Sequence, residues 1–507
     1  MNRNNSQLKA GVVLNYVTIF LNLVIGLVYT PYLLRMLGQE EYGLYSLAAS
    51  VIAYLTVLDL GFGNAIVRYT SKFIAEGKKR VAEEMYGMFW VMYLIVGVVA
   101  MAAGGLLAVN ADTVFGANMS DYEVGRMRII LWIMTFNLAF SFPMSIWESI
   151  LMAHERFVFI RVVKILRTLL NPLVMLVLLF FGYKALALVV VTTVFNVLSL
   201  AANCWYCLAG LKVKLRFARP EPGFLKEVGL YSFWIFLGVL MDRIYWSTGQ
   251  FVLGVVSGTV AVAVYAVAIK LQSMYMMFST AISSVFLPKV TKMVAVGDNR
   301  KEISDLFIRT GRLQYLIMAL LLSGFVVFGR QFIALWAGEG YGDAYVIALL
   351  FLVPLTVPLI QNLGITILQA RNQMKFRSVV YICIAILSLV LAVVLGKEYG
   401  GIGCAAATSG ALVLGQIVVM NIYYSRRQGI DIWRFWGEIA KMSLVPLVLM
   451  CSFMALSYSG IISLDSIGGF ICYALLYVSL YVVLMWCFAM NDYERRLIRG
   501  MLKGGKK

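Results

Sequence analysis

The first residues to consider for chemistry are ionisable side chains inside long apolar runs. Asp242 and Arg243 are neighbours in the run 229–253, and Lys270 lies in the run 262–286. A charge at the centre of a bilayer costs several kcal/mol unless it faces a cavity or a partner. Adjacent helical residues project about 100° apart, so one cavity wall can show both Asp242 and Arg243. The competing reading is that Asp242 or a backbone carbonyl neutralises Arg243 or Lys270 within a helix bundle. Asp59, in Leu58-Asp59-Leu60-Gly61-Phe62-Gly63, can titrate with a transported ion or cap a helix broken at the glycines. Glu148 ends its run, facing headgroups or pairing with Arg156. Arg161, Lys164 and Arg167 recur every third residue at the start of the run 158–181. They line a cytoplasmic vestibule for anions such as diphosphate, or they snorkel to the inner leaflet.

Other chemistry is missing. His154 is the one histidine, on a basic loop, so an HExxH zinc site and a Ser-His-Asp set with a second histidine are both excluded. There is no Walker A sequence, and Gly61-Phe62-Gly63 is not followed by a nucleotide-binding βαβ unit. All seven cysteines lie in apolar runs. Cys204-x-x-Cys207 has redox or zinc spacing without a second pair, which reads as packing. No cofactor and no metal site are expected. Polar segments are too short for an ATPase or glycosyltransferase domain, so ATP-driven transport by this chain alone is excluded.

The chain that carries these residues has 507 residues, 62% apolar and 13% charged. Mean hydropathy is +0.86. A soluble domain is near half apolar and about a quarter charged, so several soluble globules, disorder and a disulfide scaffold are excluded. Runs long enough to cross a bilayer number fourteen: 11–34, 43–67, 86–109, 127–150, 158–181, 185–209, 229–253, 262–286, 312–335, 345–369, 379–396, 402–424, 441–459 and 468–490. The net charge of +18 would suggest nucleic acid in a soluble protein. With the N-terminus in the cytoplasm, however, 35 of the 43 Lys and Arg fall on cytoplasmic connections. Six fall outside: Arg35, Arg126, Arg128, Lys184, Arg330 and Lys397. This is the positive-inside pattern. An odd number of spans would put the basic tail outside, so both termini are expected in the cytoplasm.

The chain also repeats itself. At a shift of 220 residues, Gly38 lands on Gly258, Tyr45 on Tyr265, Ala48 on Ala268, Lys72 on Lys292, Ala75 on Ala295, Gly77 on Gly297 and Arg80 on Arg300. At 217, Leu151, Ala153, Phe159, Val162 and Val163 land on Leu368, Ala370, Phe376, Val379 and Val380. Six spans separate the copies, so both enter the membrane in the same direction. The expected fold is all-α and polytopic: a lobe over 1–210, a cytoplasmic linker over 211–228, a second lobe over 229–425, and two more spans with a basic tail over 426–507. Asp242 and Lys270 match Asn22 and Ser50, so spans 1, 2, 7 and 8 carry matched polar positions. That is what a cavity shared between lobes needs. A channel built from single-chain repeats is the competing architecture. Pro143, Pro172, Pro288, Pro354, Pro358 and Pro446 interrupt spans or their ends as hinges or kinks.

Several stretches carry a family resemblance. Tyr32-Leu-Leu-Arg35-Met-Leu-Gly38-Gln-Glu-Glu-Tyr42-Gly43-Leu-Tyr45 resembles the first inter-span junction of polysaccharide exporters and lipid-linked oligosaccharide flippases. So do Leu58-Asp59-Leu60-Gly61-Phe62-Gly63 with Arg68, Val264 through Leu271, Leu287-Pro288, and Leu368-Gln369-Ala370-Arg371. The chain resembles the Wzx-type branch of the multidrug/oligosaccharidyl-lipid/polysaccharide exporter superfamily, and the implied fold is MATE-like. The resemblance implies export of an undecaprenyl-diphosphate-linked glycan across the bacterial inner membrane, coupled to protons or sodium. Carried over by position, Arg243 and Lys270 would hold substrate charge, and Asp242 or Asp59 would couple an ion. Anionic inner-leaflet lipids and polysaccharide polymerase machinery are the implied partners. A drug antiporter of the same fold, and a membrane polymerase or ligase acting on the same lipid, are the alternatives.

Overall fold

A computed structural model describes residues 2–217, 222–283, 290, 293, 299–371, 373–459 and 466–502. Pro288, the repeat positions Lys292, Ala295 and Gly297, and the tail cations Lys503, Lys506 and Lys507 lie outside the described residues. Among the described residues every regular element is helical.

The longest helix, α1 (Asn2–Leu55), is two helices that meet at Gly38, whose φ of +76° excludes an ordinary side chain. A single straight helix of that length would run roughly 80 Å, far beyond a bilayer. A short 3-10 turn (Thr56–Asp59) and two left-handed residues, Leu60 and Gly61, separate it from α2 (Phe62–Ala75). There follow α3 (Lys79–Val109), α4 (Ala111–Phe115), α5 (Asp121–Ala153), α6 (Phe157–Phe180), and α7 (Ala185–Trp205), which ends in a π turn. Then come α8 (Pro222–Val256), α9 (Gly258–Ser283), α10 (Arg300–Trp336), α11 (Ala344–Ile360) and α12 (Leu363–Ala370). A bend of 45° separates α11 from α12. The next helix, α13 (Met374–Leu412), turns at Gly400. The last are α14 (Met420–Arg426), α15 (Ile432–Tyr458), α16 (Ile467–Leu484) and α17 (Asp492–Leu502). Ten helices among the described residues are long and apolar enough to cross a membrane, or eleven with the bent α11–α12 pair. The chain is a multi-pass membrane protein.

Residues with left-handed backbone recur at near-constant spacing. Gly38 pairs with Gly258, Gly182 with Gly400, and Lys212 with Gly429. The first two pairs are glycine identities, the first at the shift of 220 noted above; the third appears only in the backbone.

The chain forms two compact units: Met1–Ala266 with Ala392–Cys404, and Val267–Leu391 with Ala405–Lys507. The division falls within α9, downstream of the expected 211–228 linker. One reason is that α8 is tied to α1, where the Tyr54 hydroxyl and Thr248 Oγ1 lie 2.7 Å apart. In the first unit, Phe62, Tyr69, Phe89, Tyr93, Phe142 and Trp147 form the core between α2, α3 and α5. Helices α3 and α5 approach closely at Gly104, where a Cβ would collide with the Thr135 side chain.

In the second unit, Leu316, Phe328, Met442, Phe453, Tyr477 and Tyr481 pack α10 against α15 and α16. Arg312, expected at the end of a cytoplasmic loop, lies inside α10 and is 4% exposed. Its Nε donates to Glu494 at 2.6 Å, its Nη1 to Glu438 at 2.7 Å, and its Nη2 to Glu494 and the Ala489 carbonyl, both at 3.0 Å. This guanidinium holds α17 and α15 on α10.

Candidate functional site

The expected site residues are distributed over both units. Asn22, Ser50, Asp59, Arg161, Lys164, Arg167, Asp242 and Arg243 belong to the first, and Lys270 to the second. Asn22 is exposed on α1 and donates from Nδ2 to the Thr18 carbonyl at 2.9 Å. Ser50 is buried, with its hydroxyl donating to the Leu47 carbonyl at 2.7 Å, so its own helix already satisfies it. Asp242 is exposed and Arg243 half-buried on α8. The Arg243 Nε is buried with no hydrogen-bond partner among the described residues. Lys270 is half-buried on α9.

Asp59 closes the 3-10 turn between α1 and α2. Its Oδ1 accepts a hydrogen bond of 2.8 Å from the fully buried Tyr93 hydroxyl. Tyr93 packs in turn on Phe62 and Phe142, with ring centroids 5.6 Å and 6.4 Å away. The helix break therefore sets a carboxylate on a rigid aromatic support. That geometry suits local capping and also holds a titratable group in place.

Of the three cations along α6, Lys164 is exposed and Arg161 half-buried. Arg167 is deeper than its place at the start of the apolar run suggested. The helix begins at Phe157, so Arg167 is its eleventh of 24 residues, roughly 15 Å along the axis. Its Nη1 donates to Asn196 Oδ1 of α7 at 2.7 Å. Asn196 Nδ2 donates to Asn137 Oδ1 at 2.8 Å and to Ser141 Oγ at 2.7 Å, both on α5. Asn137 and Asn196 also lie near the midpoints of their helices. A charged hydrogen-bond network thus crosses three helices near their midpoints. Snorkelling needs no such network. Sequence reasoning missed Asn137, Ser141, Asn196 and Tyr93, because it searched for charges. A search for amides at the centres of apolar runs would have found Asn137 and Asn196.

Two long-range similarities bear on this arrangement. The fold matches that of a structure described as the lipid II flippase MurJ in an inward closed conformation, with a TM-score of 0.71 and 18% identity, over 96% of this chain and 99% of that one. It also matches an inward-facing multidrug resistance MATE family transporter of the MOP superfamily, with a TM-score of 0.60 and 17% identity, over 78% of this chain and 96% of the other. The architecture is the one that these two structures share. The family model described as "Polysaccharide biosynthesis protein" matches residues 8–294, and the chain belongs to that family. A protein of Shigella flexneri described as "Putative O-antigen transporter" is 19% identical over 397 residues, 77% of this chain and 92% of the other.

Proposed function

We propose that the chain is a flippase. It carries a polyprenyl-diphosphate-linked oligosaccharide unit, of O-antigen, capsule or exopolysaccharide, from the cytoplasmic to the outer leaflet of the bacterial inner membrane. It works by alternating access, coupled to an ion gradient, with both termini in the cytoplasm. Eleven helices or bent helix pairs long and apolar enough to cross a membrane support this architecture; α8 and the breaks at Gly38 and Gly400 would bring the spans to fourteen. The recurring left-handed residues support two parallel six-span lobes, 1–210 and 229–425, joined by 211–228 and followed by the two spans and tail of 426–507.

The observation that carries the substrate reading is the set of cations within apolar helices. Arg167 donates to the neutral amide of Asn196, and the buried Nε of Arg243 has no hydrogen-bond partner among the described residues. With Lys270, these are groups suited to a diphosphate or an acidic sugar, since a guanidinium presents a planar fork that matches phosphate. Asp242 and Asn22 supply polar contacts alongside, and Ser50 has least to offer because its hydroxyl is satisfied. Asp59 and Asp242 are the carboxylates for ion coupling. Arg161 and Lys164 extend the cationic face of α6 toward the cytoplasmic end, where anionic inner-leaflet lipids also meet it. Polysaccharide polymerase machinery would consume the product.

The test is reconstitution of the purified chain in proteoliposomes with a fluorescent polyprenyl-diphosphate glycan in one leaflet. The expected result is leaflet exchange without ATP, accelerated by a proton or sodium gradient. A requirement for ATP, or for a second protein, would refute it. Movement of cationic drugs in place of the glycan would favour the antiporter alternative.

A further inference from the structure

At one end of the first unit, the start of α5, the end of α6 and the start of α7 enclose a groove of about 460 Å³. Its wall is apolar, with Leu178, Leu186, Val190 and Val191, and its polar rim is Arg126 and Lys184. Phe180, Phe181 and Tyr183 are exposed beside it, at 79%, 70% and 58%. Exposed aromatic residues at the end of a membrane helix mark the level of the lipid headgroups. In the orientation proposed above this is the outer face, where the chain carries only six Lys and Arg in its connections. Two of the six converge on this groove, whereas Arg128 is already paired with Asp112.

Arg126 is held from behind. Its guanidinium lies 3.6 Å from Glu41 Oε1 and over the Tyr122 ring at 5.1 Å. Glu41 is 4% exposed, and its Oε2 accepts the Ala185 amide of α7 at 3.2 Å. The buried Glu41 Oε1 has no hydrogen-bond partner among the described residues, so the pair is a loose ion pair rather than a closed bidentate bridge. The N-terminus of α7 adds a partial positive charge at the same rim.

We infer that this groove is a binding site for an anionic phospholipid of the bilayer, its phosphate between Arg126 and Lys184 and an acyl chain along Leu186, Val190 and Val191. Basic pockets between membrane helices take anionic headgroups in this way. None of the residues that line it is among Arg167, Arg243 and Lys270, the positions assigned to the transported lipid. A phosphate seated there competes with Glu41 for Arg126, which loosens the tie between the segment after Gly38 and α5.

The test uses the full chain in phosphatidylcholine nanodiscs doped with phosphatidylglycerol bearing a photoreactive acyl chain, followed by peptide mapping. Each cation is worth roughly a fivefold preference for an anionic headgroup, so Arg126→Gln with Lys184→Gln should lower labelling of 178–191 by about tenfold or more. Labelling of α16 in the same sample should stay constant, which controls for folding. Equal labelling by a phosphatidylcholine probe, or unchanged labelling in the double variant, overturns the inference. Displacement of the probe by undecaprenyl diphosphate at a tenth of its concentration also overturns it, and gives the groove to the transported lipid. Nanodiscs expose both faces, so the assay reads the groove whichever way the chain is inserted. Its failure is therefore separate from failure of the proposed transport.

Discussion

Replacing Arg312 with leucine should release the C-terminal helix. In the native protein the guanidinium makes four hydrogen bonds, three to carboxylates and one to the Ala489 carbonyl. Glu494 is 1% exposed, and it also accepts the Asn491 amide that caps α17 while its own amide donates to Asn491 Oδ1. Removing one partner of a buried pair strands the other, at a cost of about 3–5 kcal/mol. Glu494 escapes that cost when α17 lifts away and returns the carboxylate to water. At about 3 kcal/mol the open population rises roughly 100-fold. Hydrogen exchange of the α17 amides in detergent reads this directly, since local opening sets the exchange rate. Replacing Glu494 together with Arg312 removes the stranded charge, and Glu438 is exposed enough to reach water. The double variant should recover at least half of the effect on a logarithmic scale. Exchange within threefold of native in Arg312→Leu, or a double variant looser than the single, would falsify the idea that this buried charge anchors the helix.

The remaining predictions concern transport and packing. Arg243→Ala and Lys270→Ala should each strongly reduce surface glycan while the protein stays in the membrane fraction; normal glycan in both would remove these residues from the site. Arg167→Gln should lower flipping in proteoliposomes about tenfold and Arg167→Lys less, because lysine keeps the charge but loses the fork that reaches Asn196. Equal losses would point to packing instead. Asp59→Asn should leave downhill exchange intact and abolish its acceleration by an ion gradient, and an unchanged response would leave Asp59 as a helix cap. Gly104→Leu should lower the yield of folded protein, since even a Cβ there meets Thr135, and overpacking costs about 1–3 kcal/mol; full yield would mean that α3 and α5 can separate.

The sequence alone determined that this is a multi-pass all-α membrane protein and which superfamily it resembles. Hydropathy and loop charge are sums over neighbouring residues, and the bilayer reads them locally, so they survive without tertiary information. The repeat was legible at Gly38 and Gly258 because the same residue stands at both, and the φ of +76° and ψ of 172° at Gly38 admit essentially only glycine. The Lys212 and Gly429 junction was not, since different residues adopt the same backbone. Only the tertiary structure decided the partners of the charges. Arg167 and Arg312 both read as cations near span ends. One instead joins an amide network across α5, α6 and α7, and the other is the buried anchor of α17. Those pairings depend on where each helix starts and on how it is rotated against neighbours far away in sequence. A shift of one residue turns a side chain by about 100°, and no local pattern records it.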